Sequence, residues 1–334
     1  MKLHHRTKRR LRALRRPFEW VGIGVGVLVI SNLPRRWMLE LCDFISWIMY
    51  VFDRAGRRLA LFNLRVVLGS SEVKDLPFAM LAKTKLSPPT MREKKIIRRS
   101  YRNMARTIGH AFWTCRKARV RAAAAGEMCA EGKRFLAEHK QAVTVSGHIG
   151  CWEILSQLVV LEGLPIMSVA KDIGSEGMTR LLMRSRTSIG QDIVHADGAF
   201  RPLMQGIKDG KSLGLLVDQV VKPKNGGVWV RFFGRPMPVS AGPAFFAAKG
   251  KVPVAVAWSR PLNDGRYRCE VVSTYSAQEA REVWRFTQRC MHDLESVIRR
   301  HPSCWVLNYR YFRKVPDEKE LAQLLERESD GAKG

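Results

Sequence analysis

The stretch from residue 141 to 161, QAVTVSGHIGCWEILSQLVVL, constrains the fold most because its hydrophobic period changes within a few residues. Val143 and Val145 alternate with more polar residues as a short strand does, whereas apolar residues from Cys151 onward recur at helical spacing. Two glycines between these patterns mark a turn. The stretch therefore predicts a strand, a tight turn and a helix, with His148 on the turn and Glu153 in the first helical turn.

His148 and Glu153 together suggest acid–base chemistry. On a continuous helix, residues five apart are rotated by about 140° and do not meet. Because His148 lies on a turn, the chain can fold back, and we expect the Glu153 carboxylate to contact the imidazole. A neutral imidazole held by a carboxylate is a general base with a fixed tautomer. The alternative is a histidine that caps the helix and a solvated glutamate, and the spacing alone leaves both open.

From residue 141 onward, strand and helix patterns alternate along the chain. Strands are predicted at 141–146, 164–169, 191–195, 212–217 and 252–258, and helices at 151–162, 175–188, 199–209 and 241–249. Repeated strand–helix units imply an α/β fold with a mostly parallel central sheet flanked by helices. Ligands of such sheets bind beyond the carboxyl ends of the strands. Since His148 and Asp218 each follow a strand, we expect them to share one crevice.

The charge is strongly positive, with 58 basic and 30 acidic residues and a formal net charge of +28. Such a field attracts a polyanion, which leaves nucleic acid, an anionic membrane and an acidic protein or substrate as partners. The seven cysteines are scattered and include no C-x-x-C pair. This pattern favours reduced thiols over a disulfide framework or a zinc site, and we predict no metal and no cofactor.

The N-terminal region is basic and then apolar. Cations crowd the first 16 residues, and the apolar run Trp20–Leu33 is shorter than the roughly 20 residues that span a bilayer. Both flanks of the run are basic, which favours the cytoplasmic surface. We expect a re-entrant or tilted anchor, with a single span as the alternative. The following stretch, 37–52, predicts an amphipathic helix that lies on a membrane or covers the core.

The domain organisation follows from these shifts in composition. We predict a basic, hydrophobic, membrane-anchoring helical region at 1–69, a linker at 70–90, an α/β domain at 91–316 and a charged tail at 317–334. The segment 303–309, SCWVLNY, predicts a last strand, and the charged tail is expected to be frayed.

Several blocks, taken in order, resemble the bacterial late acyltransferases of lipid A biosynthesis (lauroyl/myristoyl type), within the lysophospholipid acyltransferase superfamily. The blocks are Asn63-Leu64, YRNMARTIGHAFW at 101–113, the H-x4-E pattern from His148 to Glu153, the R-x3-G pattern from Arg186 to Gly190, GLLVDQ at 214–219, VRFFGRPMPVSAGPAFFA at 230–247 and VPVAV at 252–256. Near the C-terminus the sequence departs from the family pattern, with Tyr309 where a histidine is common. This departure leaves the acceptor lipid open.

The resemblance implies transfer of a fatty acyl group from an acyl-carrier-protein thioester to a hydroxyl of a lipid A precursor. In this interpretation His148 is the general base, Glu153 orients it, and Arg186 binds a phosphate or the developing negative charge. Asp218 would position a partner or a substrate hydroxyl. The remaining predicted substrate-binding residues, which would shape an acyl slot, are Phe232, Phe233 and Gly234. The alternative is that these residues have only structural roles. Arg186 would then be a surface arginine, Asp218 a turn residue at a strand end, and the two phenylalanines ordinary core residues.

The predicted partners are acyl-carrier protein or acyl-CoA as donor, a lipid acceptor and an anionic membrane surface, without nucleic acid. Three alternatives remain at this level. Cys151 could act as a nucleophile that carries an acyl group, although we favour direct attack with Cys151 packed as a small apolar residue. The acceptor could be another glycolipid or phospholipid, with acyl-CoA as donor. A basic nucleic-acid-binding protein would also explain the charge, but the sequence has no helix-turn-helix, zinc or RNA-binding motif.

Overall fold

The structure is a computed structural model and describes residues 26, 28–171 and 176–332. The basic cluster of the first 16 residues and half of the predicted anchor at 20–33 lie outside the described residues. Within the described part, no helix combines the length and the apolar character needed to cross a membrane.

A seven-stranded sheet and a separate hairpin form the β structure. The strands are β1 (Gly126–Met128), β2 (Val143–Ser146), β3 (Ile166–Ala170), β4 (Asp192–His195), β5 (Ser212–Leu216), β6 (Gly227–Phe232), β7 (Arg235–Ser240), β8 (Val254–Pro261) and β9 (Tyr267–Tyr275). The order in the sheet is β1-β9-β8-β2-β5-β3-β4, and β6 pairs with β7. Every neighbouring pair in the sheet is parallel except β8 and β9. The predicted mostly parallel α/β sheet is therefore confirmed.

Helices flank this sheet. They are α1 (Arg35–Phe52), α2 (Arg54–Val67), α3 (Ser71–Lys74), α4 (Met91–Trp113), α5 (Ala118–Ala125), α6 (Ala130–Glu138), α7 (Trp152–Leu161), α8 (Glu176–Thr187), α9 (Phe200–Lys208), α10 (Gly242–Gly250), α11 (Val283–Arg300) and α12 (Glu318–Ala332). The five strands and four helices predicted after residue 140 are confirmed to within a few residues at each end.

The core lies on both faces of the sheet because successive strand residues point to opposite sides. In β8, Val254 and Val256 pack with α9, α10, α11 and the β6–β7 hairpin. Ala255 and Ala257 pack on the other side with α5, α6 and α7. The βα alternation of the sequence thus produces a sheet that is covered on both faces, as parallel sheets require.

Helix α4 is the long element that connects the N-terminal helices with the sheet. It begins with a capping box in which Thr90 accepts from the Glu93 backbone N–H and Glu93 accepts from the Thr90 backbone N–H. Such a cap satisfies two of the free N–H groups at a helix start. Two of its apolar residues, Ile97 and Tyr101, are buried in the core.

The C-terminal part differs from two of our predictions. The predicted strand at 303–309 is instead a 3-10 turn, Pro302–Cys304, followed by a single bridge between Trp305 and Ile149. Cys304, Trp305 and Leu307 of this segment are buried, since the segment packs against both the loop that follows β2 and helix α4. The tail expected to be frayed forms α12, where Leu324 is buried and Glu328 pairs with Arg231 at 2.7 Å.

Candidate active site

The loop 147–151 joins β2 to α7 and is held by three other segments. The N–H of Gly150 donates to the Cys304 carbonyl at 2.8 Å. The Thr107 hydroxyl of α4 donates to the Gly150 carbonyl at 3.1 Å. Gly150 has φ +65°, and a Cβ at this position would lie 1.7 Å from the Ser259 carbonyl oxygen. The turn therefore needs glycine both for its conformation and for its space.

His148 and Asp218 meet at the carboxyl edge of the sheet. The imidazole Nδ1 lies 2.7 Å from Asp218 Oδ1, and the His148 backbone N–H donates to Oδ2 at 2.9 Å. The Trp305 indole N–H also donates to Oδ2, at 3.0 Å. The Asp218 side chain is fully buried, whereas 20% of the His148 side chain is exposed. One carboxylate thus orients both the ring and the backbone of His148.

The electrostatics of this pair favour a charged carboxylate. Burial alone would raise the pKa of Asp218, but the His148 imidazole and the N–H donors hold this pKa below its ordinary value. An ionised carboxylate only accepts hydrogen bonds, so the proton of the neutral imidazole sits on Nδ1. Nε2 is then the basic atom, and the Gln219 side-chain amide lies 3.2 Å from it. In this structure the Gln219 amide donates to the lone pair that would accept a substrate proton.

The predicted contact between Glu153 and His148 is wrong. The two Glu153 carboxylate oxygens accept from Arg186 at 3.0 and 2.7 Å, and the Trp152 indole N–H donates to the same group at 3.1 Å. The Trp152 and His148 rings pack edge to face with centroids 4.9 Å apart. Glu153 therefore lies one side chain away from the imidazole, because α7 directs its first turn toward α8 while the strand ends bring Asp218 to His148.

The Glu153–Arg186 pair is mostly enclosed. The side chains are 4% and 16% exposed. The carboxylate raises the pKa of Arg186 above its ordinary value. Such a charge-assisted, two-pronged pair fixes geometry more than a single hydrogen bond does. Arg186 is thus not the free surface arginine of the alternative interpretation, and its contact with a phosphate stays a prediction.

The predicted acyl-slot residues lie behind the site. Phe232 and Phe233 are buried, and their ring centroids are 5.8 and 5.7 Å from that of Trp305. Phe233 and Gly234 both have positive φ values and make the turn between β6 and β7. In this structure the two rings support Trp305, which in turn binds Asp218. Their contact with an acyl chain stays a prediction.

Cys151 is a poor nucleophile in this environment. Its side chain is fully buried, and burial raises the pKa of its thiol to about 12. The thiolate is the reactive form of cysteine, and it is nearly absent at neutral pH with such a pKa. The geometry therefore favours direct attack over an acyl-enzyme at Cys151. All seven cysteines lie in the described part, and each is a free thiol.

Three residues of the site were not among our predicted functional residues, namely Trp152, Gln219 and Trp305. The pairing of His148 with Asp218 carries a signal in the sequence. β2 and β5 pair in register with Ser146 opposite Leu216, and His148 and Asp218 each follow two residues later. Two parallel neighbours that end in register place such residues side by side. The two tryptophans have no such local signal.

The arrangement can remove a proton from a hydroxyl group, since an imidazole with one nitrogen held by a carboxylate has the other available as a base. Among the described residues, no group of His, Cys, Asp and Glu side chains is placed to hold a metal ion. No curated protein shows a significant match to the chain. The sequence does match a family described as bacterial lipid A biosynthesis acyltransferase, over residues 4–85 and 86–314. With nearly the whole length covered, this chain belongs to the bacterial lipid A biosynthesis acyltransferases, a family of enzymes that transfer acyl groups.

Proposed function

We propose that the protein transfers a fatty acyl chain from an acyl thioester, with acyl-carrier protein as the donor, to a hydroxyl of a lipid A precursor. One observation carries the proposal within this family. His148 has Nδ1 bound to a buried carboxylate at 2.7 Å, which leaves Nε2 as a base at the edge of the sheet. Ester formation from a hydroxyl requires a base in that position.

The reaction needs one proton carrier. Nε2 of His148 takes the hydroxyl proton while the lipid oxygen forms a bond to the thioester carbonyl carbon. The tetrahedral intermediate collapses, the C–S bond breaks, and the imidazolium returns the proton to the departing thiolate. The products are an ester and a free thiol, and His148 ends in its starting state. Asp218 stabilises the imidazolium because its carboxylate is ionised.

Gln219 would change partners during this cycle. Its amide occupies Nε2 at 3.2 Å, so the substrate hydroxyl has to displace it. A displaced amide N–H beside the base is a suitable donor for the thioester oxyanion, since such donors stabilise charge that develops in the transition state. Glu153 acts as a positioning residue in this proposal, through Trp152 and Arg186.

Membrane association is part of the same proposal. We place the enzyme at the cytoplasmic face of the inner membrane, where the acyl donor is soluble and the acceptor is a lipid. The basic and apolar run before residue 34 supports this placement. Helix α1 also supports it, because Trp37, Phe44 and Phe52 are exposed to solvent. Large apolar side chains in such a row are typical of helices that lie in a lipid interface.

The test is acyl transfer by the purified full-length protein, with acyl-carrier protein or acyl-CoA as donor and lipid A precursors as acceptors. Product mass identifies the acyl chain and the acceptor. His148→Ala should abolish transfer while the thermal unfolding transition persists. Transfer that survives in His148→Ala would refute the base, and acylation only of another lipid would refute the acceptor.

A further inference from the structure

A basic cleft lies between α1 and the first half of α4. Its volume is about 830 Å³. Six cations line it, all from α4: Arg92, Lys94, Lys95, Arg98, Arg99 and Arg102. We call this surface the basic cleft. Neither His148 nor Asp218 lines it, so it is separate from the candidate active site.

The cations of the basic cleft have no carboxylate partner within the described part of the chain. Across the described residues, none of the six makes an ion pair with a carboxylate. Among the described residues of the lining the one acid is Asp43, which is held by Arg106 through two hydrogen bonds of 2.6 Å. The Arg102 Nε is buried and has no hydrogen-bond partner among the residues that the structure describes. Burial and the neighbouring Arg106 lower the pKa of Arg102. A multiply charged anion would relieve this crowding of like charges.

An apolar surface borders the basic cleft on α1. The exposed large apolar side chains of this helix are Trp37, Phe44, Ile45, Trp47, Ile48, Val51 and Phe52. Phe44 and Trp47 stack with ring centroids 6.2 Å apart. On a helix these positions share one broad face, and no described segment covers it. Apolar side chains beside cations form the pattern of a helix that lies at a lipid surface.

The opposite face of α4 holds the candidate active site. The Ser100 hydroxyl donates to the Trp305 carbonyl at 2.5 Å, and the Asn103 amide donates to the Ser303 carbonyl at 2.8 Å. Thr107 of the same face binds the loop of His148. The cations of the basic cleft lie on the other side of this helix. Except for Arg92, each of them is rotated about the helix axis by roughly 100° or more from Ser100. One helix thus fixes the position of the active site relative to the basic cleft.

We propose that the basic cleft binds the phosphate headgroups of anionic bilayer phospholipids while the apolar face of α1 enters the lipid interface. This pairing docks the enzyme in one orientation, with its active site at a defined height above the membrane. An acidic carrier protein would also complement the charge. The lipid is favoured because the apolar face of α1 adjoins the cations, and burying it needs an apolar phase.

The experiment uses vesicles of phosphatidylcholine with about one third phosphatidylglycerol and the full-length chain. In the cleft variant, Lys95→Gln, Arg98→Gln and Arg99→Gln are combined. Each Lys or Arg near an anionic surface raises the affinity for it about fivefold. Loss of three such charges should therefore weaken the affinity of the cleft variant for these vesicles on the order of 100-fold. Vesicles of phosphatidylcholine alone should show little difference between the two proteins.

The matched control removes the same charge elsewhere. Lys133→Gln, Arg134→Gln and Lys140→Gln lie on and after α6, at the amino end of β2 and away from the active-site edge. The control should bind like the wild type, and both triple variants should keep the thermal unfolding transition. A further variant, Phe44→Ser with Trp47→Ser, should lose the part of the binding that resists high salt.

Three results would overturn the proposal. The first is that the cleft variant binds vesicles with phosphatidylglycerol as tightly as the wild type does. The second is an equal loss in the control, which would show an effect of net charge alone. The third is unchanged vesicle binding with lost binding to acyl-carrier protein, which would make the cleft a protein-docking surface. The proposal rests on the membrane association proposed above, but none of these readouts requires acyl transfer, so its failure is distinguishable from failure of the proposed reaction.

Discussion

Replacing Asp218 with asparagine tests which acid controls the imidazole. The carboxylate accepts three N–H donors, two on Oδ2 and one on Oδ1. An asparagine has a single carbonyl oxygen, and it keeps two donors if that oxygen takes the place of Oδ2. Its NH₂ group then faces Nδ1 of His148 and donates to it. The imidazole proton is forced onto Nε2, the atom that has to accept the substrate proton.

The expected loss is large. General base catalysis contributes about 10²–10⁴ in rate, and a wrong tautomer in an aspartate–histidine pair removes about 10⁴. We therefore expect Asp218→Asn to lower kcat by about 10³–10⁴. The His148 backbone N–H and the Trp305 indole N–H then donate to a neutral oxygen in place of a charged one, so the free energy of unfolding should fall by about 1–3 kcal/mol. The rate loss should thus far exceed what partial unfolding explains.

The assay is acyl transfer under saturating donor, with thermal unfolding of the same samples. Glu153→Gln is the matched control, since it neutralises the neighbouring acid that does not touch the imidazole. It should retain more activity than Asp218→Asn and leave the tautomer unchanged in imidazole ¹⁵N spectra. Near wild-type activity in Asp218→Asn, or a tautomer change in Glu153→Gln alone, would refute the geometry described above.

Four further outcomes follow from the same geometry. Cys151→Ala should keep most activity, because burial raises its thiol pKa to about 12, and a trapped acyl thioester there would contradict this. Trp305→Phe keeps an aromatic ring but removes the N–H donor to the carboxylate and part of a buried indole, so the free energy of unfolding measured in urea should fall by at least about 1.5–3 kcal/mol. Gly150→Ala should lower the free energy of unfolding by more than about 4 kcal/mol. Gly210→Ala is the control, since Gly210 has a positive φ but open space around it, and it should lower this free energy by only about 1 kcal/mol. The folded-state pKa of Asp218 is lowered, so its stabilisation is present above its unfolded pKa of about 3.9 and is lost as pH falls through the folded pKa. The stability gap between wild type and Asp218→Asn should therefore narrow below about pH 4, and a gap independent of pH would contradict this.

The fold after residue 140 was predictable because its signals are local. Apolar runs and helical periods lie within a few residues of each other, and parallel βα units have few possible arrangements. The segment 303–309 shows the limit of this reasoning. Its apolar residues suggested a strand, but Cys304, Trp305 and Leu307 are buried by packing against the His148 loop and α4 and not by sheet pairing. Burial alone does not identify a strand, since any segment that packs on a core is apolar.

The sequence by itself determined the chemistry available at this site, since it places His148 on a turn after a strand and Asp218 after another. The tertiary structure decided which acid binds the imidazole. Glu153 is five residues away and Asp218 is 70 away, yet the register of β2 and β5 brings Asp218 into contact. Arg186 takes the Glu153 carboxylate instead. Distance along the chain does not predict such contacts, because parallel strands align residues that the intervening helices separate.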